Sequence, residues 1–241
     1  MRMWSFASRN AKEILRDPLN LAFGLGFPLV LLLLLSAIQA NVPVQMFEIQ
    51  HLTPGITVFG FSFITLFSAT LIAKDRNSSL LQRLYTTPLS TADFIFGYTL
   101  PLLPVSIAQC AICYAAALFL GLEWTAGILP AIVFSLPIAV LYIALGLLCG
   151  SLFTDKQVGG ICGALLTNLS AWLSGIWFDL ELVGGTFQKV AHVLPFVHAV
   201  EMERALLAGR DFLPHLWWVL GYAVIATAAA IGCFLMQMKK Q

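Results

Sequence analysis

The side chains best suited to acid–base chemistry crowd into one stretch of the chain. His192, His198, Glu201 and Glu203 all fall within residues 179–215, and His215 lies at its end. An imidazole and a carboxyl group can exchange protons near neutral pH, so these four are candidates for acid–base work on a lipid substrate. The fourth histidine, His51, stands far away in sequence. The histidine spacings match no metal-ligand pattern. Cys110 and Cys113 have C-x-x-C spacing, but all five cysteines lie in apolar runs without histidine or acidic neighbours. They read as small polarisable residues packed between helices rather than a redox or zinc site. No G-x-x-x-x-G-K-[ST], H-E-x-x-H or G-x-S-x-G occurs, and no intramembrane Asp pair could form a protease dyad. The expectation is a chain with no catalytic residue, cofactor site or metal site of its own.

A second polar stretch, Lys74 to Asp93, is patterned differently. Ser78 and Ser79 can cap a short helix. On it Leu80, Leu81, Leu84 and Tyr85 form an apolar ridge, while Gln82, Arg83 and Thr86 stay polar. Pro88 breaks this helix, and Ser90 or Thr91 can cap the next. The ridge is too narrow for a core and reads as a docking knob for another protein.

The elements that position these groups are membrane spans. The chain has 241 residues, of which 59% are hydrophobic and only 10% charged, and its mean hydropathy is +0.88. A soluble domain carries about 25% charged residues, so this composition excludes a water-soluble fold. Apolar runs cover roughly residues 19–38, 54–73, 94–120, 128–152, 159–178 and 216–236. Each has about the 20 residues needed to cross a hydrocarbon core, and none carries a charge away from its ends. With six spans both termini share one side. That side holds Arg2, Arg9, Lys12, Arg16, Lys74, Arg76, Arg83, Lys156, Lys239 and Lys240, ten of the thirteen basic residues. The positive-inside rule puts it in the cytoplasm. The first apolar run is too long for a signal peptide.

Residues 1–18 predict an amphipathic interfacial helix, with Trp4, Ala7, Ala11, Ile14 and Leu15 on its apolar side and Pro18 at its end. Pro101, Pro104, Pro130 and Pro137 predict kinks in the third and fourth spans. Small residues in the fifth span (GGICGALL) and the sixth (AVIATAAAIG) predict close helix approach. The outer segment 179–215 predicts two short amphipathic helices, broken at Pro195 and ended at Gly209. They are too short to span and are expected to dip into, or lie on, the outer leaflet.

The chain resembles the ABC-2 type permeases, the membrane subunits of ABC exporters. That family's first cytoplasmic loop reads E-R-E-x-G-T-L-E-R-L-x-x-T-P-x-S. Here Asp75, Arg76 and Asn77 stand at its E-R-E, Ser79 and Leu80 at its Gly-Thr, and Gln82-Arg83-Leu84 at its Glu-Arg-Leu, while Thr87-Pro88-Leu89-Ser90 match its end. A second match is P-x-x-[HYW]-A-V-x-x-x-R-A-L-L-x-G, carried by Pro195, His198, Ala199, Val200, Arg204, Ala205, Leu206, Leu207 and Gly209. Glu201 lies within that segment. Asn77 and Gln82 remove two carboxylates from the family's loop, so a docking salt bridge there is not implied.

The resemblance implies an all-α membrane protein, a single transmembrane domain over 1–241. It has six spans, the N-terminal interfacial helix and short re-entrant or interfacial outer helices before the last span. It implies an ATPase-coupling loop formed by Asp75, Arg76, Leu80, Leu81, Gln82, Arg83, Leu84, Thr87 and Pro88, and an outer helix segment marked by Pro195, His198, Glu201 and Arg204. The partners are two copies of a separate ABC ATP-binding subunit that holds the ATP and magnesium, a second permease copy or paralogue, and membrane lipid, with no nucleic acid. The location implied is the bacterial inner or plasma membrane. The spans hold no charge for ion coupling, which fits export of a hydrophobic or amphipathic cargo (a drug, a peptide or a lipid-linked molecule) driven from outside the chain. The rival readings are a passive channel or structural membrane protein, and a membrane-embedded enzyme acting on lipids.

Overall fold

A computed structural model describes residues 2–42, 47–78 and 90–238, and all of the regular structure in them is helical. Helix α1 covers Arg2–Leu15. Helix α2 covers Pro18–Asn41, and α3 covers Ile49–Asn77. Helix α4 runs over Thr91–Phe119 and α5 over Ile128–Leu152. A helix over 155–173, α6, follows directly. Three shorter segments come next: α7 (Leu180–Val183), α8 (Gly185–Val193) and α9 (Pro195–Leu207). The last helix, α10, covers Leu213–Met238.

Five of these, α2, α3, α4, α5 and α10, are long and apolar enough to cross a membrane. The sequence boundaries for the fourth run coincide with α5, and the others differ by a few residues at either end. The run expected over 159–178 forms a helix only as far as residue 173. Lys156 and Gln157 at its start, its glycines and Asn168 make α6 less apolar than its five neighbours. Large apolar side chains face outward on the long helices, among them Val30, Leu33, Leu34, Val133, Val224 and Ile225. In water such a surface would be untenable, and in hydrocarbon it is what a span presents.

Helix α3 is the central post. Its residues 52–65 are buried without a break, and α2, α4, α5 and α9 all pack against it. The tightest crossing is with α5, where Gly146 and Gly150 face α3. A Cβ at Gly146 would lie 2.5 Å from the Thr65 carbonyl oxygen, and one at Gly150 2.6 Å from that of Ala69. The approach lets the Thr65 hydroxyl donate to the Tyr142 carbonyl at 2.7 Å and Ser68 to that of Ile143 at 3.2 Å. This small-x-x-x-small face was not singled out by composition. The GGICGALL stretch was, yet nothing lies within 4 Å of a Cβ at Gly159 or Gly160.

Of the prolines expected to kink helices, Pro101 interrupts α4, where regular hydrogen bonding lapses over residues 100–101. Pro104 and Pro130 fall in first turns, where an N–H has no helical acceptor anyway. Pro137 sits inside an unbroken α5. Two π-helical stretches, Ala22–Gly26 and Ile161–Leu166, are further irregularities.

Helix α9 occupies an interior position. It packs against α3, α5 and α10, and Phe196, Val197, Ala199, Val200 and Met202 are all buried. Its start lies far along the bundle, with the Phe196 ring 6.2 Å from Tyr142 near the middle of α5. Its last carbonyls, on Leu206 and Leu207, close on Gly127 at the start of α5.

Candidate coupling site at the α1 end of the bundle

The last turns of α3 carry the charged residues of the patterned stretch, and the helix periodicity decides where they point. Leu71, Ile72 and Asp75 recur at i, i+1 and i+4 on one face, and all three are buried. Asp75 therefore turns inward, its side chain only 2% exposed. Its carboxylate accepts from both guanidinium ends of Arg9, Nη1 at 2.6 Å and Nη2 at 2.7 Å. The Tyr98 hydroxyl on α4 donates to the same carboxylate at 2.9 Å. The fork geometry of Arg suits this two-point bond. Glu13, one turn along α1, shares Arg9 Nη2 at 2.6 Å.

Neighbouring contacts complete the clamp. The Asn10 side chain donates to the Gly97 carbonyl at 3.0 Å, which satisfies a fully buried amide. Phe6 fills the notch at Gly97, where any Cβ would collide with its ring. It meets Phe94 and Tyr98 edge-on at 5.6 and 5.0 Å. The buried face of α1 is thus Phe6, Ala7, Asn10 and Ile14. Trp4 and Leu15, expected on the apolar side, are exposed at 66% and 68%. The hydrophobic pattern misses Asn10 because a polar residue joins a core only when a specific partner is waiting.

Arg76 points the other way, into the end of α5. Its Nη1 donates to the carbonyls of Gly150 at 2.8 Å, Ser151 at 2.7 Å and Phe153 at 3.2 Å. A cation on the orphan carbonyls at a helix C-terminus satisfies both their hydrogen bonding and the helix dipole. Further along the chain, Ser90 and Asp93 form a reciprocal capping box that starts α4. Thr91, the other expected cap, lies inside the helix. Leu80, Leu81, Gln82, Arg83, Leu84, Thr87 and Pro88 lie outside the described residues. Both flanks of that segment are fixed: the exit of α3 by Arg9 and Tyr98, the entry of α4 by its cap and by Phe6.

The histidines gather at the opposite end. The His198 Nε2 atom donates to the His192 carbonyl at 2.9 Å, so its Nδ1 accepts from His215 Nδ1 at 3.0 Å. This arrangement holds His198 neutral, and burial pushes its imidazole below the ordinary value, partly offset by the bond to the His192 carbonyl. The His198 ring stacks on Trp218 at 4.8 Å. Arg204 donates to Glu201 at 2.8 Å and to the Gly175 carbonyl at 3.3 Å. A cavity of about 410 Å³ lies beside these groups, lined by His51, Asp179, Glu181, Glu201, Arg204 and His215 among others. Among the described residues no cluster of three or more His, Cys, Asp or Glu could hold a metal ion. Pro195 starts α9, so Pro195, His198, Glu201 and Arg204, the four residues expected to mark an outer segment, share one helix. Glu203 on that helix is fully buried and accepts from the Tyr114 hydroxyl at 3.0 Å.

A helical bundle with five helices long and apolar enough to cross a membrane is the architecture of a multi-pass membrane protein. The chain belongs to the ABC-2 type transporter family, whose model matches residues 1–208. It is 25% identical over 189 residues to the probable multidrug ABC transporter permease YbhR of Escherichia coli K12, covering 78% of this chain and 50% of that protein. It is 27% identical over 214 residues to the putative transport permease ycf38 of Porphyra purpurea, covering 83% and 72%. It is 23% identical over 220 residues to the daunorubicin resistance ABC transporter permease protein DrrB1 of Streptomyces coeruleorubidus, covering 86% and 74%. The chain spans about half the length of YbhR.

Proposed function

We propose that this chain is the permease subunit of an ABC exporter that moves a hydrophobic or amphipathic cargo outward across a bacterial inner membrane, with both termini in the cytoplasm. It works with a second permease copy or paralogue and with two copies of a separate ATP-binding subunit, which carries the ATP and magnesium. The single observation that carries this reading is the double anchoring of segment 79–89. A docking element can pass on force only if its ends are fixed to the helices it must move. Asp75 and Arg76 tie one end to α1 and α5, and the Ser90–Asp93 cap and Phe6 tie the other to α4. When the ATPase subunits close, Leu80 to Pro88 transmit the shift to α3 and α4 together, and the interface between two permeases opens outward.

Asp75 and Arg76 act here as anchors, and the contact with the ATPase falls to Leu80, Leu81, Gln82, Arg83, Leu84 and Thr87. The names of YbhR and DrrB1 support the cargo class. Helix α6 serves as the fifth of six spans, and α8 and α9 form a re-entrant hairpin, supported by the depth at which Phe196 meets Tyr142.

The test is co-expression with the ATP-binding subunit. Replacing Leu80, Leu81 and Leu84 together by Ser, or Arg83→Glu alone, is expected to reduce co-purification and permease-dependent ATPase stimulation at least tenfold, with the chain still in the membrane. Undiminished stimulation in both variants would remove this segment from coupling.

A further inference from the structure

The spans hold no charge at the level of sequence, but the fold brings one inside. Glu203 is 0% exposed, and among the described residues no Lys, Arg or His forms an ion pair with it. Its sequence neighbour Arg204 is directed elsewhere, to Glu201 and the Gly175 carbonyl. The Tyr114 hydroxyl reaches Glu203 Oε2, while Oε1 is buried without a partner. The same face of α4 presents Gln109, Cys110 and Cys113, and buried Gln109 Oε1 is likewise unpartnered among the described residues. An ionised carboxylate in such surroundings would be heavily penalised, whereas a carboxylic acid would not.

We propose that Glu203 is a proton-binding site inside the helix bundle, occupied while α9 is seated against Tyr114 and vacated when α9 moves toward water. The other titratable groups around α9 do not compete for this role. From α4 come Tyr114, Cys110 and Cys113, all neutral when buried. Helix α3 offers His51 at its outer end, α5 only Tyr142 at the other end of α9, and α10 His215 and Tyr222. Helix α8 brings His192 to His198, and α6 has no charged side chain beyond its first turn. On α9 itself Glu201 and Arg204 neutralise each other. Burial, only partly offset by the Tyr114 hydrogen bond, pushes the Glu203 carboxyl up to about 8, so the proton is held at neutral pH and released in mildly alkaline conditions. Release leaves a bare carboxylate that only water can satisfy, which drives α9 outward and exposes the Cys110 face.

A carboxyl raised in the folded state stabilises the fold fully at low pH, below about 4.3, the ordinary Glu value. That contribution is lost as pH rises toward about 8 and stays lost above it.

The experiment compares the full chain with Glu203→Gln, a neutral isostere of the protonated side chain, and with Tyr114→Phe. Infrared difference spectroscopy is expected to show a carboxylic acid C=O band at pH 7 that is absent from Glu203→Gln and titrates away in alkali. Tyr114→Phe removes a bond that favours the ionised form, so its midpoint should move to higher pH, a shift that a purely structural role would not produce. Maleimide labelling of Cys110, read by peptide mass spectrometry at each pH as a ratio to Glu203→Gln, should rise at least threefold between pH 7 and 9. Absence of the band at pH 7 in the unmodified chain overturns the protonation. A titrating band with a constant labelling ratio overturns the link to α9.

Discussion

Replacing Asp75 by alanine is expected to loosen α1 from the bundle and abolish transport while the chain still inserts. The substitution removes the acceptor for three hydrogen bonds. The Tyr98 hydroxyl then loses its bond to a charged acceptor in the interior, at a cost of about 1.5–3 kcal/mol. Arg9 loses less, because its side chain is 38% exposed and water can replace part of what Asp75 supplied. Together these should lower the thermal midpoint by roughly 4–10 °C for a chain of this size. Arg9→Ala is predicted to be worse, since it leaves the Asp75 carboxylate buried with Tyr98 as its remaining partner, a fault on the order of 3–5 kcal/mol. The double variant should therefore be less destabilised than the sum of the two, by about 0.5–3 kcal/mol. Proteolysis of α1 in intact inverted vesicles, together with melting in detergent, measures the clamp. An Asp75→Ala chain with parental melting and transport would show that the clamp transmits nothing.

That clamp marks the border of what sequence can disclose. The charged stretch stood out because Lys74, Asp75, Arg76 and Arg83 interrupt long apolar runs, but its first four residues continue helix α3 instead of starting a loop. Sequence does not say on which side of the membrane-spanning helix Asp75 lies, because α3 continues to Asn77, beyond the apolar run that ends near residue 73. Its place one turn after Leu71 was the available signal. Helix α9 was legible in its ends, Pro195 and Gly209, but not in its burial. Residues 195–207 carry Phe196, Val197, Val200, Met202 and Leu206 on several faces, which is the mark of a helix buried all round. Two carboxylates and one Arg disguise that pattern. Glu203 stood out as an acid–base candidate, but its burial was hidden for the same reason: a polar residue in an amphipathic helix is assigned to solvent unless its partner, here Tyr114 on another helix, is known.

Gly146→Val and Gly150→Val are expected to have large effects on the bundle, and unequal ones. At Gly146 a Cβ would meet the Thr65 carbonyl oxygen at 2.5 Å and the Ser68 Cβ at 2.6 Å, and at Gly150 it would meet the Ala69 carbonyl oxygen at 2.6 Å. Backbone cannot rotate aside as a side chain can, so α3 and α5 must separate. Overpacking of this kind costs about 1–3 kcal/mol. Separation also breaks the Thr65 and Ser68 bonds to α5, each worth about 0.6 kcal/mol within a membrane. On stability alone the two variants should look alike. They should differ in function, because the Gly150 carbonyl is itself an acceptor for Arg76. Displacing α5 at Gly150 shifts the anchor of the coupling segment, whereas displacement at Gly146 acts one turn further from it. Gly150→Val is therefore predicted to lose ATPase stimulation more completely than Gly146→Val at matched melting temperature. Gly159→Ala, where the added methyl meets nothing within 4 Å, should melt within about 0.5 kcal/mol of the parent. Equal stimulation by the two valine variants would mean that α5 carries no part of the motion, and the Arg76 contacts would then be a helix cap and nothing more.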